Sequence, residues 1–337
     1  MATDLLTADP PKPVSHVCDA GELLVASSIT EEQAAVVGQT TVTARDGISG
    51  YLSDLIQLTK PRIVVMILVT TTATAMIGAG GLVPGGQLLW LLIATAAVAG
   101  SAGAANQIWE RVIDQRMTRT ANRPLAAGRM HTIVATSYML TLLAFGTSMM
   151  YLLFGPTPAM VGLATWALYV LVYTPMKTRT AWNTTVGAVA GALPVLIGYT
   201  AMGGTLTGLS GWLLVGVLVA WQYPHFMSIA WLYRRQYGEA GFRMTTTEDP
   251  TGWSAGIQSV SGSLALMGCA IVLCFLPGGW IQGTIAAIAA VGSSTPMLMA
   301  SVGFMSTPND EQARKLLRSS LLVLPAVLAI CTLRLFW

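Results

Sequence analysis

Residues 63–109 read IVVMILVTTTATAMIGAGGLVPGGQLLWLLIATAAVAGSAGAANQIW, and no side chain among them is charged. A helix needs about 20 apolar residues to cross a bilayer, so the run is long enough for two crossings. The cluster Gly80-Gly81-Leu82-Val83-Pro84-Gly85-Gly86 near its middle supplies a turn between them. The stretch predicts a helical membrane hairpin. Three more charge-free runs repeat the pattern. Met130 to Met176 breaks at Gly155-Pro156-Thr157-Pro158, Thr180 to Tyr233 at Met202-Gly203-Gly204, and Pro250 to Asn309 at Pro277-Gly278-Gly279. With a shorter last segment, Ser319 to Leu333, the expectation is an all-α polytopic bundle of about nine transmembrane helices.

Composition agrees. Of 337 residues 53% are hydrophobic and 10% charged, where soluble domains carry about a quarter charged. A net charge of +3 is too small to imply a nucleic-acid partner; the expected surroundings are a lipid bilayer. The mid-hairpin turns hold no Lys or Arg. The connections between hairpins hold Arg111, Arg116, Arg119, Arg123 and Arg129, then Lys177 and Arg179, then Arg234, Arg235 and Arg243, then Arg314, Lys315 and Arg318. By the positive-inside rule these connections and the N-terminus are cytoplasmic, and the C-terminus, with Arg334, is outside. The expected location is the cell's inner (plasma) membrane, with a site facing the cytoplasm. Cys18, Cys269, Cys274 and Cys331 show no metal-ligand spacing. Residues 1–50 are polar and acid-bearing, unlike a signal or transit peptide. They read as a mostly disordered cytoplasmic tail ahead of a membrane domain at 51–337.

The first basic connection is the most informative. The second span meets no turn signal before Asn106-Gln107-Ile108-Trp109-Glu110-Arg111-Val112-Ile113-Asp114, so the helix is expected to run on out of the membrane. Asn106, Glu110 and Asp114 then fall at i, i+4 and i+8, on one face. Two carboxylates one turn apart repel unless a cation lies between them, and hard oxygen donors suit Mg²⁺. Arg119 and Arg123 follow, with donor forks matched to phosphate oxygens. An amphipathic helix laced with surface salt bridges would show similar residues. An acid-and-amide face at a membrane boundary favours a metal and diphosphate site.

Three other stretches carry chemistry. Lys60 and Arg62 flank Pro61 at a helix entry, where they serve as topology anchors or diphosphate contacts. Lys177 and Arg179 in the second connection would cancel diphosphate charge. The small residues Gly187, Ala188, Gly191 and Ala192 that follow allow close helix packing. In the sixth span, Pro224 removes a helix hydrogen bond and frees the Ala220 carbonyl, next to His225 and Phe226. His225 could bond such a carbonyl, contact a second substrate, or ligate a metal.

Asn106, Asp114, Met117, Arg119, Thr120, Arg123 and Pro124 resemble the first signature of the UbiA-type intramembrane prenyltransferases, and among them the haem O synthases. Glu110 stands where that family usually has Asp, and Val112 where haem O synthases usually carry a further Asp. Leu58-Thr59-Lys60-Pro61-Arg62 is similar to the family's opening motif. Tyr173, Lys177, Arg179, Thr180 and Asn183, then Gly191, Ala192 and Pro194, are similar to its second. Pro224-His225-Phe226 resembles a haem O synthase motif. Gln236-Tyr237 departs from it, because the family usually has Asp before that Tyr; Glu239, one turn on, or Glu248 and Asp249 are the substitutes.

The resemblance implies a Mg²⁺-dependent transfer of a farnesyl group from farnesyl diphosphate to a vinyl group of haem B, giving haem O. It implies Asn106, Glu110, Asp114 and Glu239 as metal residues, with Lys60, Arg62, Arg119, Arg123, Lys177 and Arg179 on the diphosphate. Asn106, Glu110, Asp114, Arg119 and Lys177 form the catalytic set, and Tyr173, Asn183, His225 and Tyr237 contact the acceptor. Haem A synthase or terminal-oxidase assembly proteins are the implied partners. Two other readings stay open: prenyl transfer to an aromatic quinone-type precursor, and an inactive haem-handling or transport protein.

Overall fold

The structure is a computed structural model describing residues 47–336, so most of the expected polar tail lies outside the described residues. The first element is a short helix, α1 (Ile48–Leu58). Nine helices among the described residues are long and apolar enough to cross a membrane. They are α2 (Pro61–Ala79), α3 (Gly85–Glu110), α4 (Thr132–Phe154), α5 (Pro156–Met176), α6 (Asn183–Ala201), α7 (Leu209–Leu232), α8 (Trp253–Phe275), α9 (Trp280–Ser306) and α10 (Asp310–Phe336). Each break predicted inside a charge-free run is a turn, and the basic segments join one hairpin to the next.

Two boundaries differ from expectation. The last helix begins at Asp310 rather than Ser319. Asn309 caps it by accepting from the Gln312 amide at 2.9 Å, and Glu311 pairs with Lys315 one turn on at 2.8 Å. Together with acids in the first turn, these offset the charge of a helical start outside the lipid. Arg314, Lys315 and Arg318 therefore ride on the helix. The other difference is that α3 stops at Glu110 and does not continue as helix to Asp114.

Helices α7, α8, α9 and α10 pack in succession into one half of the bundle, while α2 lies against α6 and α3 against α4. The α2–α6 contact requires glycine on both sides. A Cβ on Gly78 would stand 2.2 Å from the Tyr199 carbonyl oxygen, and one on Gly198 would stand 2.4 Å from the Thr71 oxygen. Backbones that close gain dispersion contact along their length, the main source of helix association in lipid. The carbonyl of Ala220, freed by Pro224, faces Gly262 of α8, where a Cβ would approach to 2.7 Å.

Candidate active site

Asn106 and Glu110 share one face of the last turns of α3, and both are buried. Beyond Glu110 the chain makes a turn and a 3₁₀ segment, Asp114–Arg116. Asp114 nevertheless lines the same pocket, because the connection folds back on itself. Thr120 Oγ1 donates to the Asp114 carbonyl at 2.9 Å, and Arg123 donates to both carboxylate oxygens at 2.7 Å. The face that was expected from helical spacing is thus completed by Arg123, whose Nη1 alone bridges both carboxylate oxygens.

The other basic connections supply the rest of the pocket. Lys177 Nζ donates to Glu110 Oε1 at 2.6 Å and sits 4.7 Å from the Tyr173 ring centroid. Lys60 Nζ donates to Asn106 Oδ1. Asn106 in turn donates to Thr174 Oγ1 at 3.3 Å. Arg119 donates to the Tyr237 hydroxyl at 3.3 Å and lies over the Tyr233 ring, 4.8 Å from its centroid. The pocket, of about 250 Å³, is lined by four cations, Lys60, Arg119, Arg123 and Lys177, and two carboxylates, Glu110 and Asp114. That surplus of positive charge suits an anion.

The surroundings tune three of these groups. Burial lowers the Lys60 ammonium below the usual lysine range, against the opposing pull of neighbours that include Glu110. Burial also works against the Lys177 ammonium, but Glu110 beside it outweighs that and holds it above the usual range. Burial lifts the Asp114 carboxyl above the usual aspartate value even with Arg123 in contact.

A larger, apolar chamber of about 470 Å³ adjoins the pocket and shares Lys60, Ile63, Tyr169, Tyr173, Phe226 and Ile229 with it. It runs between the helices to Thr95, Ile197 and Leu218. Tyr169 and Tyr173 reach the shared wall from a π-helical stretch of α5, Leu168–Tyr173. Pro175 cannot donate to the helix ladder there, and the Tyr169 carbonyl accepts from both the amide and, at 2.9 Å, the Oγ1 of Thr174. Nothing in the spacing of α5 announced that stretch or Thr174.

His225 lines this chamber, stacked on Trp221 at 4.7 Å between centroids. Its Nδ1 lies 3.0 Å from Ser320 Oγ, not on the Ala220 carbonyl. Ser320 spends its own proton on the Leu317 carbonyl at 2.7 Å. The contact therefore requires Nδ1–H as donor, leaving the neutral ring's Nε2 as an acceptor.

Other expected residues fall elsewhere. Arg62 is exposed and borders the chamber, not the polar pocket; Arg179 is exposed and outside both. Asn183 lines the polar pocket, but its amide nitrogen is committed to the Thr180 and Arg243 carbonyls, each at 2.7 Å, so it ties two connections together. Glu239 is exposed on the short helix Arg234–Ala240 and does not line the pocket. Tyr237 does line it, and residues two apart on a helix point in different directions. Gln236 and Glu239 share a face that is not the pocket's. Glu248 pairs with Arg243 at 2.9 Å, and Asp249 accepts from the Ser254 amide at 2.8 Å, capping α8. Among the described residues, no second group of acids lines the pocket.

Asn106, Glu110 and Asp114 are hard oxygen donors of the kind Mg²⁺ takes. Among the described residues no three His, Cys, Asp or Glu side chains converge. The donor set fits an ion that keeps one or two protein carboxylates and fills its shell with water and substrate phosphate, rather than one in an all-protein cage.

The family model described as the UbiA prenyltransferase family matches residues 67–323. The chain belongs to that family. It is thus a prenyltransferase of the UbiA family. It is 58% identical to a protoheme IX farnesyltransferase of Rhodopirellula baltica, over 83% of this chain and 99% of that relative. It is 36% identical to one of Salinibacter ruber, over 83% of this chain and 97% of that protein. Among solved structures, a UbiA homolog from Archaeoglobus fulgidus bound to GPP and Mg²⁺ superposes with a TM-score of 0.63 at 13% identity, covering 82% of this chain and 99% of the other. A digeranylgeranylglyceryl phosphate synthase reaches 0.69 at 14% identity, covering 84% and 98%. At such identities the structural likeness establishes the UbiA fold.

Proposed function

We propose that this UbiA-family enzyme transfers a farnesyl group from farnesyl diphosphate to a vinyl group of haem B, producing haem O. The observation that carries the donor half is the shared wall: a cationic, acid-bearing pocket opens onto an apolar chamber. A prenyl diphosphate has that same division. The acceptor half is supported by the named relatives, since those of Rhodopirellula and Salinibacter are protoheme IX farnesyltransferases over nearly their whole length.

Transfer requires an allylic carbon–oxygen bond to ionise, and negative charge then accumulates on the departing diphosphate. Lys60, Arg119, Arg123 and Lys177 stabilise that charge more in the transition state than in the ground state. Asn106, Glu110 and Asp114 would hold Mg²⁺, which when bound supplies further positive charge to the diphosphate oxygens. The chamber walls, Ile63, Ile197, Leu218 and Leu324 among them, keep water from the allylic cation until the acceptor's π electrons form the new carbon–carbon bond. Water then adds to the cation left on the former vinyl carbon, with loss of a proton, to give the hydroxyl of haem O. His225 and Trp221 offer the acceptor a stacking face and an Nε2 lone pair. The positive-inside rule supports a site facing the cytoplasm from the inner membrane, with haem A synthase or oxidase-assembly proteins as recipients of the product.

The test is mass spectrometry of haem from membranes supplied with haem B, farnesyl diphosphate and Mg²⁺. Haem O is the expected product. Prenylation of a quinone precursor with no haem O, by correctly inserted protein, overturns the acceptor. No prenyl transfer to either overturns the reaction.

A further inference from the structure

Helix α1 has two distinct faces. Its outward face is an apolar stripe, Ile48, Tyr51, Leu52 and Ile56, all exposed, with Ile48 at 81% and Ile56 at 58%. This is the i, i+3, i+4, i+8 pattern of an amphipathic helix. Its inward face, Gly50, Asp54 and Leu58, is buried. Arg129 grips Asp54 with Nε and Nη2, each at 3.0 Å. Gln107 Nε2, itself buried on α3, donates to the carbonyls of Gln57 and Leu58 at 3.0 Å each. Both are among the last carbonyls of the helix, where the intrahelical ladder runs out; that of Gln57 also accepts the Lys60 amide at 3.2 Å.

Two residues after that clasp comes Lys60, at φ 55° and ψ 61°, the one non-glycine with positive φ among the described residues. A lysine holds this left-handed conformation only when its surroundings impose it. The imposition is visible: Gly103 of α3 lets the Thr59 carbonyl come so near that a Cβ would stand 2.9 Å away. The turn sends the Lys60 side chain into the polar pocket, onto Asn106.

We propose that α1 is an arm anchored in the headgroup layer of the bilayer that positions Lys60 in the diphosphate pocket, with Gln107 as the positioning residue that couples arm to site. Lipid is the occupant of the outer stripe because that stripe leads directly into α2. There Val65 and Val69 are exposed on a membrane-spanning helix and line neither pocket nor chamber. An amphipathic helix continuous with a lipid-facing surface buries its apolar face at the headgroup and acyl boundary. The coupling half rests on the reading of Lys60 as a diphosphate contact; the anchoring half does not.

The experiment uses the full chain in lipid nanodiscs, with Cys18 and Cys269 replaced by alanine and a fluorophore attached at Leu52→Cys. Lipids brominated high on the acyl chain are expected to quench it, and aqueous iodide to leave it bright. Quenching by iodide, or protection from both because residues 1–46 cover the stripe, overturns the anchor. Coupling is read from the Kd of Mg²⁺-loaded inorganic diphosphate and from KM values. Gln107→Leu is expected to weaken diphosphate binding and raise KM for the prenyl diphosphate about tenfold, through loss of two hydrogen bonds. KM for the acceptor should not move. In a Lys60→Met background the same change is expected to add nothing, since the two act on one interaction. Additive losses, or unchanged affinity in Gln107→Leu, overturn the positioning role. If the unaltered chain binds no diphosphate, the reading of the pocket and the coupling fall together, while the depth measurement still decides the anchor.

Discussion

Lys177 and Glu110 pair at 2.6 Å, and with Lys177 removed the buried Glu110 carboxylate loses its short partner and keeps a longer contact to Arg123 at 3.8 Å. Lys177→Met is expected to lose about 3–5 kcal/mol of stability as well as activity, measured by thermal unfolding in detergent alongside turnover. Asp114→Asn keeps the shape and removes the charge, and kcat is expected to fall about 10²–10³-fold with the fold intact. The pH profile should follow from two shifted groups. Asp114 must be ionised to hold Mg²⁺, and burial raises its carboxyl in the metal-free pocket, so the affinity for Mg²⁺ should begin to fall with decreasing pH above the ordinary aspartate range. Lys60 must be protonated, and burial lowers its pKa, so activity should decline with rising pH before an ordinary lysine titrates. Lys60→Arg replaces the titrating group with one that stays charged and is expected to shift the alkaline limb upward. Ser320 fixes the tautomer of His225, and Ser320→Ala is expected to raise KM for the acceptor while KM for the prenyl diphosphate stays put.

Among the elements, the contact of α2 with α6 depends on Gly78 and Gly198 and leaves no room for a side chain. Gly198→Leu is expected to cost about 1–3 kcal/mol, read as a lowered midpoint of unfolding in detergent, because overpacking must push the two backbones apart. The individual spans are legible in the sequence, since a charge-free run with one glycine–proline break admits few readings. The end of α3 is not. Helical periodicity puts Asn106, Glu110 and Asp114 on one face, and they do share a pocket, but Asp114 arrives there through a fold-back held by Arg123 and Thr120. Helical spacing cannot foresee that, because it is closed by contacts six and nine residues away. The π-helical stretch of α5 is equally hidden, since it is defined by the register of main-chain hydrogen bonds.

At the scale of the whole molecule, the clustering of basic residues at one end of the bundle is legible from the sequence, and the polar pocket lies at that end. Which connections meet is not. Thr174 with Asn106, Arg119 with Tyr237 and Ser320 with His225 are contacts between distant segments, and their partners carry no local signature. Glu239 shows the converse. Its sequence position is suggestive, but the short helix bearing it turns Tyr237 toward the pocket instead. The same-end arrangement of the paired carboxylates and cations has a kinetic consequence. Every cation that would greet a diphosphate already has a resident oxygen within reach, Glu110 for Lys177, Asp114 for Arg123, Asn106 for Lys60 and the Tyr237 hydroxyl for Arg119. Loading is then an exchange of oxygens: Lys177 and Arg123 trade a resident carboxylate for the incoming anion, while Lys60 and Arg119, held only by neutral oxygens, supply the surplus of positive charge. Such a pocket can let go of spent diphosphate, which a cluster of unpartnered cations would retain as a dead-end salt.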